Sequence, residues 1–185
     1  MSQCGKIFLN VSFFTDFEKR FSVKSSRTPM ETPEFLGVQE ATIDSKGRLA
    51  IPAKFRDTLS AFDSGVLYAT LKAKTHLLLY PASQWQIVKS EELPKMNESY
   101  LLRGVANLMK GNAEKINPDG SWRILIPPRL RSLTDFSDDK DVIFVGNDNH
   151  LEIWSIQAWD AQMANTLSIA PEDLEAALAE HNVRI

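Results

Sequence analysis

Short apolar stretches alternate with polar turns along this chain, and the same order of stretches occurs twice. Stretches of this length, rich in β-branched and aliphatic residues and bounded by Asp, Asn and Gly, are typical of β-strands. The pattern predicts strands at residues 38–43, 49–51, 66–71 and 77–80, and again at residues 114–116, 124–126, 142–145 and 151–154. Pro52 and Pro127 each predict the start of a helix, because the first helical turn tolerates the missing N–H of proline.

The two halves are also copies of one another in sequence. Residues 44–56 read Asp-Ser-Lys-Gly-Arg-Leu-Ala-Ile-Pro-Ala-Lys-Phe-Arg, and residues 119–131 read Asp-Gly-Ser-Trp-Arg-Ile-Leu-Ile-Pro-Pro-Arg-Leu-Arg. The Asp, the Ile-Pro pair and two of the Arg residues recur at the same spacing, and the match continues, with small insertions, to Trp85 and Trp159. A duplication of this length indicates one structural unit that the chain uses twice.

This duplication divides the chain into predicted segments: an N-terminal extension or misassigned start at residues 1–34, a first repeat at 35–85, a linking helical segment at 86–112, a second repeat at 113–159, and a C-terminal helical tail at 160–185. Met30 is an alternative start. One repeat has too few strands to bury a core or to cover its sheet edges. We therefore expect an α+β, mainly β fold, in which the two repeats pair about a pseudo-two-fold axis and close a small barrel with flanking helices.

Two apolar stripes at helical spacing lie outside the predicted strands. One runs from Leu101 to Met109, with Asn97 as a candidate N-cap, and the other runs from Ile156 to Leu167. Amphipathic helices normally turn their apolar face to the core, and we expect the same of both stripes. A last short, acidic helix is predicted to begin at Pro171.

The charge balance limits how the chain can bind nucleic acid. Its 185 residues carry a formal net charge of −3, so the chain as a whole is not a basic nucleic-acid binder. Basic residues are concentrated in the duplicated segments, at Lys46, Arg48, Lys54, Arg56, Lys115, Arg123, Arg129 and Arg131. Any phosphate-binding surface is therefore expected to be local.

The sequence also argues against several classes of protein. The single cysteine, Cys4, excludes an internal disulfide framework and fits a reducing cytoplasm, and no apolar run is long enough to span a bilayer. The sequence has no glycine-rich phosphate loop, zinc-ligand spacing or nucleophile elbow. His76 and His150 occupy equivalent strand starts, which indicates a repeated structural position. We therefore expect no catalytic residues, no metal site and no cofactor.

The duplicated motif and a segment near the end of the second repeat resemble a known family. Residues 44–56, their second copy, and the segment Val-Gly-Asn-Asp-Asn-His-Leu-Glu-Ile-Trp at residues 145–154 closely resemble the MraZ family of bacterial transcriptional regulators. The resemblance covers roughly residues 35–159. It implies two tandem SpoVT/AbrB-type swapped-hairpin units in a cytoplasmic, nucleoid-associated protein. It also implies a sequence-specific repressor of the division and cell-wall gene cluster, which assembles into a ring-shaped homo-oligomer and binds direct repeats upstream of its own operon.

Within this resemblance, the family's Asp-x-x-x-Arg motif falls on Asp44 with Arg48 and on Asp119 with Arg123. Such an arginine can make a bidentate contact to guanine, and the aspartate can hold its guanidinium in place. Phosphate contacts are expected from the neighbouring residues Lys46, Lys54, Arg56, Arg129 and Arg131. A structural salt bridge is an equal alternative for Arg56 and Arg131, and each Asp–Arg pair could simply stabilise its turn.

The second copy of the motif departs from the first. Ser121 stands opposite Lys46, and Trp122 stands opposite Gly47. The left-handed backbone that glycine allows is strained for tryptophan. Either the second turn is shifted, or Trp122 packs on the sheet or reaches DNA, and we expect Arg48 to matter more than Arg123.

Two other functions remain open from the sequence. One is a scaffold or assembly protein with weak, nonspecific DNA affinity, and the other is an antitoxin of the same barrel class. A scaffold would show no sequence preference for DNA, whereas an antitoxin would co-purify with a partner.

Overall fold

The computed structural model describes residues 33–63, 65–134, 136 and 140–184. The predicted N-terminal segment lies outside the described residues except for Pro33 and Glu34, which precede the first strand. Cys4 and Met30 also lie outside them.

The elements follow the predicted order. The strands are β1 (Phe35–Thr42), β2 (Arg48–Ala50), β3 (Leu67–Thr70), β4 (His76–Pro81), β5 (Glu114–Ile116), β6 (Arg123–Leu125), β7 (Asp141–Asp148) and β8 (His150–Ser155). The helices are α1 (Ala53–Phe62), α2 (Ala82–Ile87), α3 (Leu93–Lys95), α4 (Tyr100–Gly111), α5 (Pro128–Leu133), α6 (Ile156–Leu167) and α7 (Pro171–Glu180). A π-helical turn, Val88–Glu92, and a 3-10 turn, Met96–Glu98, flank α3. The predicted α+β class is confirmed.

Strand pairing exchanges elements between the two repeats. The larger sheet has the order β1-β7-β8-β4-β3-β5, and each neighbouring pair is antiparallel. The first strand of each repeat pairs with the third strand of the other repeat, β1 with β7 and β5 with β3. The second strands, β2 and β6, pair with each other as a separate ribbon. This pattern is unchanged when the repeats are interchanged, as expected for a pseudo-two-fold arrangement.

The prediction of a closed barrel is wrong. The six-stranded sheet is open, with β1 and β5 at its edges, and the β2–β6 ribbon is not part of it. Closure would require β1 to pair with β5. Instead, the chain turns sharply after β1, so that Ile43 forms a bridge to Leu49 of the ribbon.

One hydrophobic core joins the two repeats and supports the ribbon. Leu49 of β2 and Ile124 of β6 are 0% and 1% exposed, and they belong to the same buried cluster as Phe55 of α1 and Leu130 of α5. Truncating a fully buried leucine such as Leu49 to alanine costs about 2–5 kcal/mol, because a cavity is left behind. The ribbon is therefore held by the packing of both repeats.

The linking helices cover the opposite face of the sheet. Alternate residues of β4 divide between two clusters: Leu77 and Leu79 lie in the shared core, whereas Leu78 and Tyr80 pack in a second cluster with α2 and α4. The hydroxyl of Thr70 donates to the carbonyl of Met109 at 2.7 Å and fixes α4 to β3.

The two apolar stripes are only partly buried. Helix α4 has Ser99 as its N-cap residue instead of Asn97, and its buried residues are Ala106 and Met109. Leu101 remains 74% exposed, and Leu167 at the end of α6 remains 84% exposed. The core-facing prediction is wrong at these ends, because periodicity shows which face is apolar but not how much of the helix length is covered. None of the described helices is long and apolar enough to cross a membrane.

Candidate nucleic-acid interface

The β2–β6 ribbon brings the two Asp-x-x-x-Arg motifs together. Its register pairs Arg48 with Leu125, Leu49 with Ile124, and Ala50 with Arg123. Because alternate residues of a strand point to opposite faces, the burial of Leu49 and Ile124 places both arginines on the outward face. They occupy diagonal positions, for which the spacing is about 7–8 Å. One exposed surface therefore carries both arginines.

The outward face also includes two residues that the motif did not identify. Ala50 is exposed, and Leu125 is 53% exposed. In the ribbon register Leu125 lies opposite Arg48, and Ala50 lies opposite Arg123. The inside–outside alternation of the two short strands, read with their pairing, is the signal that identifies them.

The first turn is organised by the carboxylate of Asp44. Its Oδ1 atom accepts backbone N–H groups from Lys46 at 2.8 Å and Arg48 at 2.9 Å, and its Oδ2 atom accepts Nε of Arg48 at 2.8 Å. The backbone of Gly47 donates to the carbonyl of Asp44 at 2.9 Å, with Gly47 at φ 77°. This carboxylate therefore fixes both the backbone of the turn and the guanidinium.

The second turn repeats these contacts around Asp119. Its Oδ1 atom accepts backbone N–H groups from Ser121 at 2.8 Å and Arg123 at 3.0 Å, and its Oδ2 atom accepts Nε of Arg123 at 2.8 Å. Trp122 donates its backbone N–H to the carbonyl of Asp119 at 2.9 Å. The second turn is not shifted.

Trp122 takes the backbone conformation of the glycine that it replaces. Its φ angle is 58°, in the left-handed region, where a residue with a side chain loses about 1–2 kcal/mol. Its half-buried ring packs against the shared core and approaches Gly65, where an added Cβ would lie 3.9 Å from the indole. Of the alternatives left open by the sequence, the structure shows an unshifted turn with Trp122 packed on the protein, and this packing helps to offset the strain.

The two carboxylates are stabilised in their charged form. The backbone N–H of Arg48 is the main cause that lowers the pKa of Asp44 from its ordinary value. The guanidinium of Arg123 is the main cause that lowers the pKa of Asp119 to about 2. Both turns are therefore intact and ion-paired at neutral pH.

Two of the predicted phosphate-contacting residues lie away from the turns. The ammonium of Lys54 contacts Gly37, near the start of β1. At the equivalent place in the second repeat, Nε of Arg129 donates to Oδ1 of Asn112 at 2.8 Å, just before β5. Both side chains are directed toward the first strand of their own repeat, on the flanks of the ribbon.

The remaining helix arginines, Arg56 and Arg131, differ from one another. Nε of Arg56 donates to the carbonyl of Ile51 at 2.8 Å, so it stabilises the exit from β2 through a backbone contact. The guanidinium of Arg131 instead contacts Gly47 and therefore reaches from the second repeat to the first turn. Lys46 is exposed beside the same turn.

A buried polar cluster lies on the other face of the sheet, and its carboxylate was not identified from the sequence. Nε1 of Trp154 donates to Oε2 of Glu152 at 2.9 Å, while Nε2 of His76 and Nε2 of His150 lie 3.7 and 3.6 Å from Oε1. Burial opposes the charge of Glu152, yet His150, Trp154, His76 and Asn147 together outweigh it and hold its pKa lowered to about 2. The cluster joins β4 to β8, as expected for a structural histidine position. Across the described residues, no group of His, Cys, Asp or Glu side chains is arranged to hold a metal ion.

Comparison with known proteins matches the chain in two segments, one for each repeat. A family model described as "MraZ protein, putative antitoxin-like" matches residues 35–100 and 109–181. The chain is 40% identical over 152 residues to "Transcriptional regulator MraZ" of Neisseria gonorrhoeae (strain NCCP11945), which covers 82% of this chain and 99% of the relative. It is 42% identical over 144 residues to the protein of the same name from Chromobacterium violaceum, covering 78% of this chain and 96% of that relative.

Proposed function

This chain belongs to the MraZ family, and on that premise we propose that it is a transcriptional regulator that binds specific double-stranded DNA through its β2–β6 ribbon. The family is one of transcriptional regulators and not of enzymes. The observation that carries the proposal is the pair of Asp-x-x-x-Arg turns on one exposed face, with matching hydrogen bonds to each aspartate.

The dimensions and chemistry of the ribbon suit the major groove. A two-stranded ribbon fits a groove that is about 12 Å wide, and arginine is the commonest specific partner of guanine. In the first turn, Asp44 binds the Nε side of Arg48. The two terminal nitrogens of Arg48 can then meet O6 and N7 of guanine, with less side-chain freedom lost on binding.

The surrounding charges have a separate role in this proposal. Lys46 and Arg131 lie at the first turn, and Lys54 and Arg129 lie on the flanks of the ribbon. Contacts from these residues to phosphate would position the ribbon without selecting a base sequence. Ala50 and Leu125 present apolar groups opposite the two arginines, where they can contact thymine methyl groups.

We further propose that the protein acts as an oligomer, in a ring. One ribbon offers few base contacts, and assembly on direct repeats would raise the affinity through effective concentration. Exposed apolar residues suitable for self-association are present on β1, on α4, at the end of α6 and in the connection that follows it, at Leu36, Val38, Tyr100, Leu101, Leu167 and Ile169. The swapped-hairpin organisation, the segment boundaries given above, and a cytoplasmic, nucleoid-associated location belong to the same proposal.

The proposed biological role is repression of the division and cell-wall gene cluster through direct repeats upstream of the protein's own operon. The test is a titration of the full chain against that upstream DNA and against a scrambled duplex of the same length and composition. We expect tighter binding to the direct repeats. Equal binding to both duplexes would favour a scaffold, and a co-purifying protein partner without DNA preference would favour an antitoxin.

A further inference from the structure

The turns at residues 44–47 and 119–122 differ in what packs against their fourth residue. In the first turn this residue is Gly47, and it is covered by the guanidinium of Arg131 from helix α5 of the second repeat. A Cβ added to Gly47 would collide with Nη1 of Arg131 and would lie 3.1 Å from its Cζ. The absence of a side chain at this position therefore makes room for an arginine from the opposite repeat.

The equivalent residues of the second turn are Trp122 and Arg56. Trp122 has the same left-handed backbone, with φ 58° against 77° for Gly47, so its Cβ points where Arg131 lies over Gly47. The space that a guanidinium fills in the first turn is taken by tryptophan in the second. Accordingly, Arg56 turns back and donates Nε to the carbonyl of Ile51 at 2.8 Å.

We propose that Arg131 is a phosphate-contacting residue of the first repeat's turn, supplied by the second repeat, and that Trp122 bars Arg56 from the corresponding place on the second turn. The inference rests on the proposed DNA-binding function and makes it more specific. The first turn then presents Lys46, Arg48 and Arg131 to DNA, whereas the second presents Arg123 beside Ser121 and Trp122.

The position of Arg131 favours contact with the DNA backbone over base reading. It lies on Gly47, directly before Arg48 in the chain, so a turn that enters the groove carries it toward the neighbouring phosphates. A guanidinium can bind a phosphate through two parallel hydrogen bonds. Each phosphate neutralised adds about 0.9 to the negative slope of log affinity against log salt. A change in this slope therefore distinguishes an arginine that contacts phosphate from an arginine that only stabilises the protein.

The test measures this slope for the full chain on direct-repeat DNA. Arg131→Gln keeps a long polar side chain over Gly47 but removes its charge, and we expect the slope to fall by about 0.9 for each turn engaged. Arg56→Gln should lower the slope by less, and Arg103→Gln on exposed helix α4 serves as the distant control. An unchanged slope for Arg131→Gln, with the fold intact by circular dichroism, overturns the proposal.

A second experiment removes the tryptophan that we propose to exclude Arg56 from the second turn. Trp122→Gly should steepen the salt slope, and adding Arg56→Gln in that background should reverse the gain. If Trp122→Gly leaves the slope unchanged while the protein stays folded, Trp122 does not exclude Arg56 and that half of the proposal fails. Loss of sequence preference in the unmodified protein would instead reject the proposed function, so the two failures are distinguishable.

Discussion

The turns of the first and second repeats reach the same conformation with different residues at the fourth position. Gly47 adopts a left-handed backbone at no steric cost, whereas the same backbone conformation is sterically unfavourable for Trp122. What the turns share is an aspartate that accepts two backbone N–H groups and one arginine Nε. The comparison teaches that the aspartate defines this turn and that glycine only makes it easier to form.

The same comparison shows that equal geometry does not mean equal surroundings. The first turn has Lys46 and the guanidinium of Arg131 beside it, whereas the second has Ser121 and an indole ring. Two arginines in matched positions therefore stand in different electrostatic surroundings.

The largest effect is expected from removing the two arginines that we propose to read bases. Arg48→Ala should weaken binding to direct-repeat DNA by about 1–3 kcal/mol, because a bidentate contact to guanine is lost, and Arg123→Ala should weaken it by less. Fluorescence anisotropy at fixed salt measures both, with Arg103→Ala as the matched control. Equal losses from the two variants would show that the tryptophan turn presents its arginine equally well. A similar loss on scrambled DNA would assign Arg48 a phosphate or structural role.

The next effect concerns the stability of the first turn. Gly47→Ala should lower the free energy of unfolding by about 1–2 kcal/mol, because alanine disfavours φ 77° and its Cβ must displace Arg131. Gly104 lies on the exposed side of α4, away from the helix ends, with open space around it. Gly104→Ala should therefore raise the free energy of unfolding by about 0.5–1 kcal/mol. Urea unfolding compares the two. No loss for Gly47→Ala would mean that the turn relaxes without cost.

A smaller effect should follow from exchanging Lys46 and Ser121, which lie two positions before Arg48 and Arg123. Lys46→Ser should lower the salt slope of DNA affinity by about 0.9 per engaged turn, and Ser121→Lys should raise it by the same amount. Titrations at several salt concentrations measure the slope. If Ser121→Lys does not change it, the second turn does not approach a phosphate.

The smallest effect concerns the acid titration of the two aspartates. Asp119 should titrate at a pKa of about 2, and Asp44 should also titrate below its ordinary value, because hydrogen bonds from each arginine favour the charged form. Depressed folded-state values mean that the stabilisation is present above about pH 4 and is lost as the pH falls through them. Carboxyl carbon chemical shifts measured by NMR report both residues. An unshifted Asp119 would contradict the observed pairing with Arg123.

Local features were predictable from the sequence, and pairing between distant segments was not. Strand and helix order followed from periodicity, and the Asp-x-x-x-Arg turns followed from residue spacing. The open sheet was not foreseen, because periodicity does not show which residues pair. It could not show that Ile43 bridges to Leu49 instead of extending the edge strand β1. The contact of Arg131 with Gly47 was missed for the same reason, since it exists only once β2 and β6 pair.

The exchange of strands between repeats also constrains how the chain can acquire its structure. The hydroxyl of Thr42 at the end of β1 bonds to Asp141 at the start of β7, a separation of 99 residues. The pairing of β1 with β7 requires the closure of a long loop before the contacts between these two strands form, and folds dominated by such non-local pairings fold in about milliseconds to seconds. During synthesis, β1 must wait without its neighbour until the second repeat has left the ribosome. A gene encoding only the first repeat would yield a chain with unpaired strand edges, suited to capture a second copy of itself.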